Sequence, residues 1–129
     1  MQVMPATAKQ VAKNLGIEYY KNRLFTDKSY NIKIGSTYFN ELLKKFKGSI
    51  ILSTAAYNAG PGTINRWLKN YGDPRKYGID PLIWIEMIPY SETRNYVKRV
   101  LSNELIYRSI IGDGILYFDR AKKNFGHKF

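Results

Sequence analysis

Apolar side chains recur along this chain at helical spacing, and the polar stretches between them carry residues that start and stop helices. Pro5 suits a first helical position, Val11, Ala12 and Leu15 form a stripe, and Gly16 can end the segment in the left-handed conformation. This predicts a helix over residues 5–15. A polar, tyrosine-rich connection runs from Ile17 to Tyr30. Gly35, Tyr38, Phe39, Leu42, Leu43 and Phe46 then recur every three or four residues before Gly48, the clearest amphipathic helix of the chain. Ser49 can cap the next helix, where Ile50, Ile51, Leu52, Ala55 and Ala56 form a nearly continuous apolar run ending at Asn58-Ala59-Gly60-Pro61-Gly62. A helix apolar on most sides belongs in the middle of a bundle.

Thr63 is the expected cap of a short helix carrying Ile64, Trp67, Leu68 and Tyr71, closed by Gly72-Asp73-Pro74. Asp80-Pro81 starts another through Trp84 to about Met87, and Pro89 ends it. Ser91 is the expected cap of the last long helix, which runs through Tyr96, Val97, Val100, Leu101, Leu105 and Ile106 to about Ile111, where Gly112-Asp113-Gly114 breaks the pattern. No strand pattern and no internal repeat competes with this series. The expected fold is all-α, with about five to seven helices in one domain over residues 1–111. Residues 112–129, with Ile115, Leu116, Tyr117 and Phe118 followed by Lys122, Lys123, His127 and Lys128, form a basic, aromatic C-terminal tail.

Composition narrows the function classes. A chain of 129 residues with 44% apolar side chains builds a single core. Its 21 Lys+Arg against 10 Asp+Glu give a net charge of +11, which favours a polyanionic partner: nucleic acid, an anionic lipid surface or an acidic polymer such as a cell wall. The bases are dispersed, five in residues 1–30, four in 31–60, four in 61–90 and eight in 91–129, so a nucleic-acid footprint rests on charge and aromatics alone. No run approaches the roughly 20 apolar residues needed to span a bilayer, and Met1-Gln2-Val3-Met4-Pro5 lacks the form of a signal peptide.

With no cysteine and a single histidine, His127, the chain offers no thiolate nucleophile, no two-histidine metal site and no Ser-His-Asp triad. Gly60-Pro61-Gly62 is not followed by Lys-Ser/Thr, so it is not a phosphate loop. No cofactor is implied. Carboxylates remain for acid and base chemistry. Glu41 and Glu104 fall among helix-surface positions, while Asp73 and Asp80 suit turn and cap roles. Glu86 and Glu92 flank Ile88-Pro89-Tyr90, so a turn between them could bring both to one cleft. Each also has a structural alternative, Glu92 as a first-turn acid favoured by the helix dipole and Glu86 as the ion-pair partner of Arg94 or another arginine.

Three segments carry a family resemblance. Met1-Gln2-Val3-Met4-Pro5-Ala6-Thr7-Ala8 resembles the end of the "GLMQ-hydrophobic-MP-x-TA" motif of soluble lytic transglycosylases. Ala56-Tyr57-Asn58-Ala59-Gly60-Pro61-Gly62 matches their "AYNAGPG", and Ile88-Pro89-Tyr90-Ser91-Glu92-Thr93-Arg94-Asn95-Tyr96-Val97 is similar to their "IP-aromatic-x-ETR-x-YV" segment. The three occur in family order, and the resemblance covers residues 1 to about 111. It implies a lysozyme-like helical domain that binds the glycan strands of peptidoglycan. In the family one glutamate acts as general acid and then base while the muramic 6-hydroxyl attacks C1, leaving a 1,6-anhydro product, unlike hydrolysis by a carboxylate pair.

That glutamate lies ahead of the "GLMQ" motif, so the resemblance implies no catalytic residue within this chain. It also implies that the domain lacks its first, catalytic helix. What carries over is binding: Gln2 and Met4 lining the groove, Tyr57 and Asn58 near the scissile bond, and Glu92 contacting substrate or fixing the cleft, with Glu86 a further candidate. A missing helix would uncover apolar surface around Ile50–Ala56 and cost on the order of several kcal/mol, which self-association or the tail would offset. The resemblance implies a periplasmic or cell-envelope location. Two alternatives stay open at this point: a non-catalytic peptidoglycan- or partner-binding module, and a basic nucleic-acid-binding protein.

Overall fold

The computed structural model of the protein describes residues 3–76 and 78–110. These residues form α1 (Pro5–Leu15), α2 (Arg23–Thr26), α3 (Lys28–Lys45), α4 (Ile50–Ala59), α5 (Pro61–Tyr71), α6 (Pro81–Glu86) and α7 (Ser91–Ile110). No strand occurs among them, as the all-α expectation requires. Gln2 and the 112–129 tail lie outside the described residues.

The first helix has the expected bounds. Pro5 supplies its first turn, and Gly16, at φ 70°, donates its N–H to the carbonyls of Ala12 and Lys13. Ala8, Val11 and Ala12 are buried along its inner face. Two of the three are alanines, so α1 can approach α3 closely.

The tyrosine-rich connection is more structured than its polarity suggests. It contains α2, and α3 begins at Lys28, ahead of the apolar stripe. The Asp27 side chain caps α3 by accepting the Tyr30 N–H at 3.1 Å, and Asn31 donates to the Leu24 carbonyl at 2.9 Å. Tyr30 buries its ring, while its hydroxyl accepts from the Tyr20 N–H at 3.0 Å and donates to the Glu18 carbonyl at 3.1 Å. Polar side chains thus satisfy backbone groups that a loop would leave to water.

Ser49 caps α4 as expected, accepting from the Leu52 N–H. Ile51, Leu52, Ala55 and Ala56 are 0% exposed, because α3, α5 and α7 all pack against α4. From Ile51 to Ala56 the expected apolar scar is therefore absent, and Ile50 is partly buried. Large exposed apolar side chains sit elsewhere, at Met4, Phe25, Ile32 and Ile83 among others.

The start of α5 differs from expectation. Gly60 precedes Pro61 at the first helical position, and Thr63 lies inside the helix, where its hydroxyl accepts from Arg66. Proline's fixed φ starts the helix without a side-chain cap. At the other end, Gly72 has φ +88°, a backbone conformation that favours glycine, and a Cβ there would have to push aside the Ile79 Cδ1 methyl 2.5 Å away. Trp84 Nε1 donates to the Gly72 carbonyl at 3.1 Å, which fastens α6 to this turn. Arg75 grips Asp73 at 2.6 Å and also donates to the Phe46 carbonyl at the end of α3. Asp80 caps α6 through the Leu82 N–H, as expected.

Two apolar clusters result. The larger joins α3 to α7 through Leu42, Phe46, Leu52, Trp67, Trp84 and Val97. The smaller joins α1, α2 and the first half of α3 through Ala8, Val11, Ala12, Leu24, Tyr30 and Ile34. Tyr38 packs against both.

Candidate functional site

The last turn of α4 and the first turn of α7 meet at one end of the larger cluster. Thr93 on α7 is 2% exposed and donates its hydroxyl hydrogen to Asn58 Oδ1 at 2.7 Å. This bond joins the two motif segments across 35 positions of sequence. The turn before α7 is itself fixed: Arg94 Nη1 donates to the Ile88 carbonyl at 2.8 Å, and the Arg94 N–H bonds the Tyr90 carbonyl. Arg94 therefore serves the turn, and the ion-pair partner of Glu86 is Lys98 of α7.

Aromatic rings flank the junction. Tyr57 packs on Tyr38 at 5.5 Å and meets Phe39 nearly edge-on at 6.2 Å. Tyr90 is half exposed and stands edge-on to Trp67 at 5.1 Å. The Tyr57 hydroxyl is shut off from solvent and has no hydrogen-bond partner among the described residues. Burial, reinforced by the nearby Tyr96 and Tyr38, pushes its pKa up to about 12, so it stays protonated across ordinary pH. Burial also raises the phenols of Tyr38 and Tyr96.

The sequence-predicted residues separate into groups. Tyr57 and Asn58 stand together, and Thr93 ties them to the turn of α7 that carries Glu92, an exposed first-turn acid. Met4 precedes α1 and is 75% exposed, which removes it from any core role and leaves its thioether open to a ligand. Glu86 is exposed and engaged by Lys98. The sequence does not mark Thr93, Tyr38 and Phe39 as site candidates. Thr93 stands in the third motif, whereas the two rings belong only to the helix stripe.

No carboxylate is buried among the described residues, and none of their His, Cys, Asp and Glu side chains gather in threes as a metal site would require. The junction presents amide, carboxylate and aromatic groups without a thiol, an imidazole or a desolvated acid. Two shallow clefts lie away from it, around the smaller cluster. One, of about 290 Å³, is lined by Glu18, Tyr20, Arg23, Ser29, Tyr30 and Lys33, and the other by Lys9, Gln10, Lys13 and Tyr19 among others. Neither includes a sequence-predicted site residue. No helix among the described residues is long and apolar enough to cross a membrane.

Residues 1–79 match the family model described as the transglycosylase SLT domain, and residues 87–114 match that of the soluble lytic transglycosylase helical domain. The soluble lytic murein transglycosylase of Escherichia coli K12 is 41% identical over 114 residues, 88% of this chain and 17% of that protein. The soluble lytic murein transglycosylase of Salmonella typhimurium LT2 is 39% identical over 113 residues, again 17% of its length. The chain thus spans about a sixth of the length of these relatives. Among solved structures, the 70 kDa soluble lytic transglycosylase of Escherichia coli superposes with TM-score 0.82 at 38% identity, covering 100% of this chain and 20% of that one. An inactive mutant of the lytic transglycosylase Slt from Pseudomonas aeruginosa gives TM-score 0.74 at 38% identity, covering 88% and 18%.

Proposed function

This chain belongs to the transglycosylase SLT domain family, and on that premise we propose that it forms the glycan-holding part of a murein lytic transglycosylase domain. The observation that carries the proposal is the Thr93–Asn58 bond. It draws the end of α4 and the start of α7 into one surface beside Tyr57, and these are the segments whose motifs the family shares. Residues 1–111 act as one domain in this proposal, with residues 112–129 appended to it.

Each side chain has a role set by its place. Asn58, exposed at the end of α4, hydrogen-bonds the sugar chain near the scissile bond. Glu92, exposed at the start of α7, accepts from sugar hydroxyls or holds the cleft open. Met4, exposed ahead of α1, is a further candidate for the groove, and Gln2 stays a candidate on its motif alone. The Tyr57 hydroxyl is enclosed and lacks a partner among the described residues, so a ligand group satisfies it only by displacing what covers it. Glu86 is a weaker candidate, because Lys98 already holds it.

Cleavage with 1,6-anhydro product requires a general acid in an apolar pocket. None of the described carboxylates is so placed. In this proposal the described residues hold the glycan, and the acid is supplied by a segment other than these. A cell-envelope location follows from the murein substrate, the periplasm being the finer assignment.

Sedimentation with insoluble peptidoglycan tests the reading. The wild-type chain is expected in the pellet and Tyr57→Ala mostly in the supernatant, with no anhydro-muropeptide released by either. Loss of wild-type retention would overturn the binding role, and efficient anhydro-muropeptide release would overturn the account of the acid.

A further inference from the structure

The Thr93–Asn58 contact also fixes a direction. A hydroxyl that donates to Asn58 Oδ1 leaves the other end of that amide, the Nδ2 group with its two hydrogens, turned away from the Thr93 hydroxyl. Nδ2 has no partner among the described residues, and Asn58 is exposed where α4 ends. Thr93 cannot readily relax this arrangement. It is 2% exposed, its branched Cβ restricts χ1, and its helix start is clamped by the Arg94 bond to the Ile88 carbonyl.

We infer that Thr93 is a positioning residue that locks the Asn58 amide with its N–H donors facing outward. The site then selects an oxygen acceptor on the ligand, a carbonyl or hydroxyl oxygen, and rejects an N–H at the same point. This rests on the proposed glycan-holding role and adds to it the polarity of the contact. An unlocked asparagine turns either end outward, so the lock also removes an ordering cost that binding would otherwise carry.

Four variants test the inference: Thr93→Val keeps the shape and deletes the donor, Thr93→Ser keeps the donor, Asn58→Asp keeps an acceptor for Thr93 but loses the outward donors, and Asn58→Ala loses both. Affinity for insoluble peptidoglycan is measured alongside the melting temperature and 15N relaxation of the Asn58 side-chain amide in the free protein. Thr93→Val is expected to bind about tenfold more weakly, with the serine variant near wild type. Asn58→Asp should bind as poorly as Asn58→Ala while melting like wild type. The double variant Thr93→Val, Asn58→Ala should be no weaker than Asn58→Ala alone, because both act through one group.

In the free protein the amide should be ordered in wild type and mobile in Thr93→Val. Wild-type affinity in Thr93→Val, with Asn58→Ala impaired, would overturn the positioning role and leave the glycan-holding role standing. Should wild type itself fail to bind, the glycan-holding role falls, and the relaxation measurement still decides the lock: an amide equally mobile in wild type and Thr93→Val would overturn it. Should Thr93→Val not fold, the Asn58→Asp result decides it, wild-type binding by that variant being contrary.

Discussion

The two apolar clusters of this bundle are built by different means. The larger is closed by bulky side chains, with Phe46, Trp67 and Trp84 packed around an α4 whose inner residues are wholly buried. The smaller uses Ala8, Val11 and Ala12 against Leu24 and Ile34, and leans on the hydroxyl of Tyr30, which bonds two backbone groups. Its surface is indented by the two clefts, and in one of them Arg23 lies over the rings of Tyr30 and Tyr20 at 4.7 and 5.5 Å. The motif junction of Tyr57, Asn58 and Thr93 sits on the larger cluster. The proposed ligand contact is thus mounted on the part of the molecule with the most buried apolar mass. The other part is the one expected to open at lower free energy.

The largest effect should come from Trp84→Ala, which removes a 1% exposed ring and its bond to the Gly72 carbonyl, at a cost of about 3–5 kcal/mol. Ile34→Ala, in the smaller cluster, costs about 2–5 kcal/mol on the same scale. The two should differ in reach. Hydrogen exchange in Trp84→Ala should quicken throughout the bundle, whereas in Ile34→Ala it should quicken in α1, α2 and the start of α3 and spare α4 and α7. Equal loss of protection in α4 for both would erase the distinction and make the bundle a single cooperative unit.

The sequence made one of these halves easier to read than the other. Around the larger cluster the apolar positions are dense, and Ser49, Asp80 and Pro81 mark helix starts by their own chemistry, so those elements were legible. Around the smaller cluster, Leu24, Tyr30 and Ile34 are too sparse to show a period. Asp27 looks like any turn residue until the fold brings the Tyr30 N–H to it. Thr63 misled because it has the right residue type, while Pro61 had already started α5. At the junction, the motifs name Tyr57, Asn58 and Glu92 as the proposed ligand contacts. The role of Thr93 was not legible, because a threonine in a first helical turn is ordinarily a solvated position, and only the 35-residue contact to Asn58 distinguishes it.

A smaller effect separates the clusters by their caps. Ser49→Ala removes a buried side-chain acceptor from the start of α4 and should cost about 1 kcal/mol, seen as a lower midpoint in urea with an unchanged slope.

The smallest effect is electrostatic. Burial penalises the Asp73 carboxylate, but the Arg75 side chain and backbone N–H outweigh this and hold its pKa below the ordinary 3.8. Asp27 is held below that value by Arg23 and the Tyr30 N–H. Both bind protons more weakly when folded, so their stabilisation is complete above about pH 4 and is lost as pH falls through the folded values. Asp73→Asn should therefore flatten the acid limb of a melting-temperature profile without changing its neutral-pH shape. An unchanged acid limb would show that the Arg75 contact contributes nothing in solution.

In the proposed function the Tyr57 hydroxyl serves a ligand and not the fold. Tyr57→Phe keeps the ring on Tyr38 and Phe39 and deletes an enclosed oxygen that has no partner among the described residues. Melting temperature and retention on insoluble peptidoglycan, measured on the same preparation, separate the two roles. The account predicts a melting temperature equal to or above wild type, since no hydrogen bond is lost, together with retention weakened by about tenfold, or about 1.4 kcal/mol. Wild-type retention by Tyr57→Phe, or a lowered melting temperature with retention intact, would contradict it.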